Sequence, residues 1–451
     1  MTAPPRGRRA VFRSALAGIA SSALPGLPAP SMAASASGHH APDVPASFIG
    51  LSYETSELLG TRLSPGNSDL VALCRRLGTE GVLRLGGNSS DRARAHPGPA
   101  AIGRLAGFLR ATGWSLIYGL DLGNGTKAEA AQEAEMVAEA AGPALIAFQI
   151  GNEPDIFTPR LRPRGWSIPD YLAQWHGFAE AVRRRVPAAR FAGPDIAGIG
   201  SWMKPFAVHA DPRPVLLTRH FYPEGPGYSP AVTIPRLMAS GSGLAEAMAW
   251  AEQAARASGL PPLGLPLRMT ETNSVYEGGR FGVSDTLAAA AWGANMMFRL
   301  AAAGWVGVNF HTIAGSAYTP LGAETGGLSI ARPLYYGMLF FAAARARHVA
   351  PAALRDSPAP VAAYAIEGTD SHRRLALINM SPERSARMAL PVAQGASVLR
   401  LTARSPAATS GVTLGGAQVA NDAAWHPRVE RLAANGVVAL PPCNAVLVTE
   451  R

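Results

Sequence analysis

Read from residue 47 onward, the chain repeats one pattern. A short apolar or β-branched run meets a turn, and a longer stretch with helical spacing follows. The runs are Ser47–Tyr53, Gly81–Leu85, Ser115–Leu122, Leu145–Ile150, Arg190–Ile196, Leu216–Tyr222, Pro266–Thr270 and Gly304–His311. The helical stretches between them include Asn67–Leu77, Lys127–Ala141, Ile168–Arg185, Ala231–Ser258 and Ser284–Ala303. Eight alternating units predict an α/β fold, a (β/α)8 TIM barrel over residues 44–345. A doubly wound open sheet is the alternative, but no strand is followed by a Gly-x-Gly-x-x-Gly turn.

Beyond residue 345 the helical period disappears. Val361–Ile366, Arg374–Asn379, Arg387–Pro391, Ser397–Thr402 and Gly436–Val448 read as short strands between Pro, Gly, Ser and Asn turns. They predict a C-terminal antiparallel β-sandwich over 346–451.

The first 36 residues follow a different logic. Arg6, Arg8, Arg9 and Arg13 precede an apolar stretch from Ala15 to Leu27 and the small residues Ala34-Ser35-Ala36. That order is the pattern of an export signal over 1–36, and Arg8-Arg9 suggests the twin-arginine type. The expected location is therefore secreted or periplasmic. No other stretch has enough uninterrupted apolar residues to span a bilayer, so no integral segment is expected in the mature chain.

Composition narrows the picture further. The 451 residues are 48% hydrophobic and 16% charged, which supports a packed core and excludes a mainly disordered chain. The formal charge is +10, and of the 41 basic residues only Lys127 and Lys204 are lysines. The signal would remove four of those positive charges. The remainder suits an acidic polymer, and no basic run or aromatic–basic interleaving points to nucleic acid. Two cysteines, Cys74 and Cys443, exclude a disulfide scaffold and read as buried, unpaired thiols.

In a barrel of this kind, chemistry sits where the strands end at their C-terminal side. The fourth strand runs into Gly151-Asn152-Glu153-Pro154-Asp155, and the seventh into Thr270-Glu271-Thr272-Asn273-Ser274. A carboxylate ending an apolar run is costly unless it is paired or functional. Two across one barrel mouth suit glycoside hydrolysis, with one carboxyl protonated as acid and the other ionised as nucleophile. Asn152 could offer its amide to a sugar 2-hydroxyl. Glu54 and Asn88, after strands one and two, are candidates for outer hydroxyls, and Tyr222 for the cleft wall or a sugar contact.

Other residues read more plainly. His311 reads as a hydrogen-bonded core residue, Met296-Met297 as core, and Trp166 and Trp175 as helix packing. His39-His40 is too isolated for a metal site. Arg160, Arg162 and Arg164 follow Glu153 closely and are either cleft cations or a solvated loop. No cofactor or metal is expected, and the mature chain reads as a monomer.

The chain resembles glycoside hydrolase family 79, the β-glucuronidase and heparanase family, as a secreted bacterial member. The resemblance rests on Arg84-Leu85-Gly86-Gly87-Asn88-Ser89-Ser90-Asp91, Gly151 to Asp155, His220-Phe221-Tyr222-Pro223 and Glu271-Thr272-Asn273-Ser274-Val275-Tyr276, spanning roughly 47–345. It implies Glu153 as acid/base and Glu271 as nucleophile of a retaining β-glucuronidase. It also implies that Tyr276 orients sugar and nucleophile, and that Tyr318 meets the glucuronate carboxylate beside backbone amides. The sharpest expectation is endo-cleavage of heparan sulfate, an acidic glycan. Exo-action on short glucuronides and a neutral-sugar glycosidase of the same superfamily stay open.

Overall fold

The computed structural model describes residues 43–450, apart from short stretches at 93–95, 261–263, 324–327, 355–356, 358, 391–394 and 433–435. The expected export signal and His39-His40 lie outside the described residues.

Eight parallel strands close into a barrel in chain order. They are β1 (Ile49–Glu54), β2 (Val82–Gly86), β3 (Ser115–Leu120), β4 (Leu145–Ile150), β5 (Phe191–Ile196), β6 (Leu216–Phe221), β7 (Leu267–Thr272) and β8 (Gly307–His311). Closure is made by β1, which pairs Gly50 with Val82 of β2 and Ile49 with Val308 of β8. This is a TIM barrel, as the repeat predicts. Each strand is buried on both faces, which is why each reads as a nearly continuous apolar run.

The two-residue period of the strands sorts their side chains. Leu83, Leu85, Tyr118, Phe148 and Leu217 face outward into the main core, against the helices. Val82, Ile117, Ala147, Ala192 and Leu216 form a small separate apolar cluster. Two residues further along the same faces come Arg84, Gln149 and Thr218, all buried. The interior thus changes from apolar to polar on rising toward the mouth.

The helices around the barrel include Ser68–Leu77, Pro99–Thr112, Lys127–Ala141, Ile168–Arg185, Gly241–Ala257 and Leu287–Ala302. Their starts are written locally. Thr126 and Glu129 form a capping box, as do Ser167 and Asp170, while Thr286 caps the helix of Leu287. Met296 and Met297 are core, and Trp175 is fully buried among Tyr171, Phe191 and Phe206.

Two boundaries differ from the sequence reading. The stretch Ala231–Ser258 is two helices, Ile234–Met238 and Gly241–Ala257. Pro235 can only begin a helix here, and Thr233 caps it by accepting from the Arg236 amide. The run Gly436–Val448 is also two strands, β18 (Val437–Leu440) and β19 (Ala445–Thr449). Pro441 and Pro442 have no amide hydrogen to give a ladder, so the chain turns between them.

The other C-terminal strands are β11 (Ala346–Pro351), β12 (Val361–Gly368), β13 (Arg373–Asn379), β14 (Ala386–Ala389), β15 (Ser397–Thr402), β16 (Thr413–Leu414) and β17 (Glu430–Arg431), after the short hairpin β9 (Leu321–Ala323) and β10 (Ser329–Ala331). Seven build one antiparallel sheet in the order β11-β12-β13-β19-β15-β16, with β17 beside β15, while β14 and β18 form a separate ribbon. Alternation is strict on β13 and β19. Ala376, Ile378 and Leu447 join the barrel's core, whereas Leu375, Leu377, Val446 and Val448 pack with Met388 and Val438 of the ribbon. Helix Pro333–Ala343 lies within the main core, with Tyr335, Met338 and Phe340 all buried. Cys74 and Cys443 are both buried and unpaired.

Candidate active site

The loops at the C-terminal mouth are tied to one another by side chains that accept or donate across them. Glu54, ending β1, accepts from the amides of Asn88 (3.2 Å) and Ser89 (2.7 Å) after β2. Asp91 reaches onward to the amides of Leu122 (2.9 Å), Gly123 (2.9 Å) and Asn152 (2.6 Å) after β3 and β4. Asp155 takes the amides of Ala197, Gly198 and Ile199 after β5, at 2.8–2.9 Å. Asn273, after β7, donates to the carbonyls of His311 (2.9 Å) and Tyr318 (3.2 Å) beyond β8. Carboxyl oxygens accepting from rigid backbone amides make the first three ties directional, and burial raises the Asp91 carboxyl to about 7.

Inside this ring lies a buried polar cluster centred on Arg84. Its guanidinium donates to Glu271 Oε2 (2.7 Å), Asn152 Oδ1 (2.8 Å), Gln149 Oε1 (3.0 Å) and Ser52 Oγ (3.2 Å), and also to Asp195. Glu271 Oε1 accepts from the Tyr222 hydroxyl at 2.7 Å. His220 holds Glu153 Oε1 at 2.9 Å through Nδ1. Its Nε2 lies 3.1 Å from Asp195 Oδ2, out of hydrogen-bond alignment. His311 Nδ1 is 3.2 Å from Ser52 Oγ and 3.6 Å from Glu271 Oε2, and its Nε2 is 3.5 Å from Glu54 Oε1.

These surroundings separate the two glutamates. Burial raises the Glu153 carboxyl above its ordinary range, only partly offset by the bond from His220. Burial also acts on Glu271, but His311, His220 and Arg84 outweigh it and hold the carboxyl below its ordinary range. Burial would discharge His220, yet Asp195 and Glu271 raise it to about 10, so it is a cation at neutral pH. Glu54 is likewise desolvated, but its bond to His311 brings it down to about 2. One carboxyl is poised to carry a proton and its neighbour to stay ionised.

Of the residues expected at the site, Glu153, Glu271, Asn152, Tyr222 and Glu54 meet in this cluster. Glu271 lies inside β7, near its end, rather than in the loop beyond it. Asn152 accepts from Arg84, which leaves its N–H edge as donor. Tyr318 is buried, with its ring centroid 6.4 Å from that of Tyr222. Asn88 is exposed and meets Glu54 through its backbone amide. Tyr276 is 41% exposed. Its ring packs over Gly225, where a Cβ would come within 2.3 Å of it. The hydroxyl bonded to Glu271 therefore belongs to Tyr222, not to Tyr276.

Arg162 is no free cleft cation. It donates to the carbonyls of Leu122 (2.7 Å) and Gly123 (2.9 Å) and sits over Trp166. Trp166 in turn donates to the Pro154 carbonyl at 2.8 Å. Arg160 and Arg164 are exposed. His311 is buried and hydrogen-bonded as expected, but it also faces two of the site's carboxylates.

Arg84, Gln149, Asp195 and His220 were not among the site candidates read from sequence. Asp195 carried the same signal as the two glutamates, a carboxylate ending an apolar run, but Gly193-Pro194-Asp195 also reads as a turn. Glu153, His220 and Glu271 could be spanned by a metal ion, their donor atoms lying within 4.8 Å of one another. Both ring nitrogens of His220 face carboxylate oxygens, so its protonated ring offers no lone pair. The donor set fits a proton relay better than a metal centre.

No family model matches the chain. It is 28% identical over 339 residues to a β-glucuronidase of Neurospora crassa, covering 65% of this chain and 59% of that protein. A β-glucuronidase of Aspergillus niger is 25% identical over 317 residues, covering 59% of this chain and 57% of that protein. The chain thus spans somewhat under three fifths of the length of these fungal relatives. Among solved structures, a 4-O-α-L-rhamnosyl-β-D-glucuronidase from Fusarium oxysporum superposes with a TM-score of 0.75 at 21% identity, over 91% of this chain and 97% of that one. A family 51 α-L-arabinofuranosidase from Bifidobacterium longum gives 0.69 at 15% identity, over 92% and 97%. Both structural likenesses are of fold.

Proposed function

We propose that this chain is a retaining β-glucuronidase, with Glu271 as nucleophile and Glu153 as acid/base. The observation that carries the reading is the approach of the two carboxyl groups, one oxygen of each lying within 4.8 Å of an oxygen of the other, which leaves no room for a water to be seated between them as an inverting enzyme needs. Retaining glycosidases hold their carboxyl groups about 5–5.5 Å apart, whereas inverting ones need about 6.5–9.5 Å to seat a water. The opposite displacement of the two carboxyls and the similarity to two β-glucuronidases support it.

In the first step Glu271 attacks the anomeric carbon and the bond to the leaving oxygen breaks. The proton of Glu153 goes to that oxygen. In the second step Glu153 takes a proton from water, which attacks the same carbon and frees the Glu271 carboxylate. Asn152 would meet the 2-hydroxyl, Glu54 and Asn88 the outer hydroxyls, and Tyr318 the sugar carboxylate. Tyr276 would line the rim, while Tyr222 orients the nucleophile.

The sharper reading is endo-cleavage of an acidic glycan such as heparan sulfate. It draws on the exposed Arg160 and Arg164, which follow the acid/base in the chain. Exo-release of glucuronate is the second reading, favoured by the diversion of Arg162 to backbone carbonyls. We also read residues 1–36 as an export signal, 44–345 as a catalytic barrel, 346–451 as an accessory β-sandwich, and the secreted chain as a monomer.

The decisive experiment is Glu271→Gln assayed on an aryl β-glucuronide. Turnover should fall on the order of 10⁴–10⁶-fold with folding unchanged. Normal turnover in that variant, or an aryl β-glucoside as the better substrate of the native chain, ends the assignment. Heparan sulfate followed by size-exclusion then separates the two modes: a rapid fall in chain length means endo, slow monosaccharide release means exo.

A further inference from the structure

We propose that Asp195 is a positioning residue that assigns the two glutamates their different roles, acting on Glu271 through Arg84 and on Glu153 through His220. The inference rests on the glycosidase reading above.

Asp195 is the penultimate residue of β5 and is buried to 1% exposure. Its Oδ2 is paired with Arg84 and lies 3.1 Å from His220 Nε2. Its Oδ1 accepts from Gln149 Nε2 (2.5 Å) and Thr270 Oγ1 (2.5 Å). Arg84 carries that anchorage to Glu271 at 2.7 Å, and His220 carries it to Glu153 at 2.9 Å. A third link is direct, because the Glu153 amide donates to the Asp195 carbonyl at 3.0 Å. One residue therefore touches the immediate partner of each glutamate through its carboxylate and holds the backbone of one of them through its carbonyl.

The backbone shows how far the fold goes to hold this arrangement. Asp195 has φ +60° and Glu153 has φ +55°, both in the left-handed region that disfavours residues other than glycine. Strain of this kind persists only where surroundings over-determine the conformation. Here the carboxylate of one residue and the amide of the other are both committed.

The charge balance gives Asp195 its effect. His220 faces Asp195 from β5, Glu153 from the loop after β4 and Glu271 from β7, and Arg84 of β2 pairs with both Asp195 and Glu271. Its proton is the donor to Glu153 Oε1, so the other oxygen of that carboxyl carries the transferable proton. Without the Asp195 charge, the imidazole loses its hold on that proton. Arg84 is then held to the site by Glu271 alone among carboxylates.

The test is Asp195→Asn in the full chain, with two readouts that a merely structural residue would not move. In protein labelled with ¹⁵N-histidine, the His220 ring should titrate about 1–3 pH units lower than in the native chain. His220→Gln identifies its signals. In kinetics, kcat should fall by ~10²-fold on an alkyl glucuronide, which needs a proton on leaving, and less on a nitrophenyl glucuronide, which does not. Thr270→Val removes one donor to Asp195 while keeping the charge, and should leave the His220 titration no lower than in the native chain, which separates the charge from the packing around it. An unchanged His220 titration in Asp195→Asn, or equal losses on the two substrates, overturns the proposal. Failure of the glycosidase reading is separate: the native chain would then turn over neither glucuronide, while the His220 titration needs no substrate.

Discussion

The barrel buries two inward-lying arginines at opposite ends, and they live in opposite electrostatic worlds. Arg84, toward the mouth, is ringed by Glu271, Asp195, Gln149, Asn152 and Ser52. Burial works against its charge, yet Asp195 and Glu271 raise it above even the ordinary arginine value. Arg268, at the floor, has no carboxylate partner among the described residues. It donates to Asn309 Oδ1 (2.7 Å) and to the carbonyls of Ser47, Val306 and Phe48 at 3.1–3.3 Å, and burial pushes it down to about 9. Room for it is made by Gly307, where a Cβ would stand 2.1 Å from the guanidinium, and by Gly50 beside Asn309. The floor arginine sews the entry of β1 to the entry of β8. The mouth arginine holds two anions, Glu271 and Asp195, and orients the amides of Asn152 and Gln149. In this fold, the bottom face belongs to stability and the top face to chemistry.

Swapping each arginine for a residue of similar length separates those duties. Arg84→Met removes the donor that fixes Glu271 and takes away the one cation that pairs directly with both buried carboxylates, leaving them to His220 and His311. It should cost on the order of 10²–10³-fold in kcat on a glucuronide, the range seen when a preorganised charge donor is lost. Arg268→Met should leave kcat within about twofold, while exposing unsatisfied carbonyls worth about 1–3 kcal/mol of unfolding free energy. Denaturant titration and steady-state kinetics on both variants check the pair. Equal losses of activity from mouth and floor would erase the distinction.

The two ends also differ in how readable they were. Eight strands were legible because a strand buried on both faces cannot hide its apolar run. Glu153 and Glu271 stood out because each ended such a run. Arg84 sits in Val82-Leu83-Arg84-Leu85 and Arg268 in Leu267-Arg268-Met269, so the local pattern is the same for both. Their partners arrive from other strands, 187 residues away for Glu271 and 41 for Asn309, and no local spacing encodes that. Which tyrosine hydroxyl reaches Glu271 was hidden for the same reason, since it depends on how two neighbouring loops interlock. Helix Pro333–Ala343 offers the converse case. Enclosed on nearly all sides, it has no polar face and so no helical period to detect.

The smallest expected effect compares the ends by pH. His220 holds its proton up to about 10 in the folded chain, far above the ordinary histidine value of 6.5. A raised pKa means the folded state binds the proton more tightly than the unfolded chain, so it stabilises the fold fully below about pH 6.5. That contribution is lost progressively as pH rises through about 10. Glu54 gives the opposite sign. Held at about 2 against an ordinary 4.5, it stabilises above pH 4.5 and is lost as pH falls toward 2. Arg268, brought down to about 9 by burial, contributes no slope over the acid and neutral range and an opposing rise in stability only above about pH 9. Melting temperature measured between pH 3 and 10.5 should therefore fall at both extremes. In Arg268→Met the profile below about pH 8 should shift down in parallel, and in His220→Gln the alkaline fall should flatten. An alkaline fall that survives unchanged in His220→Gln would mean the mouth cluster does not set the basic limit of stability.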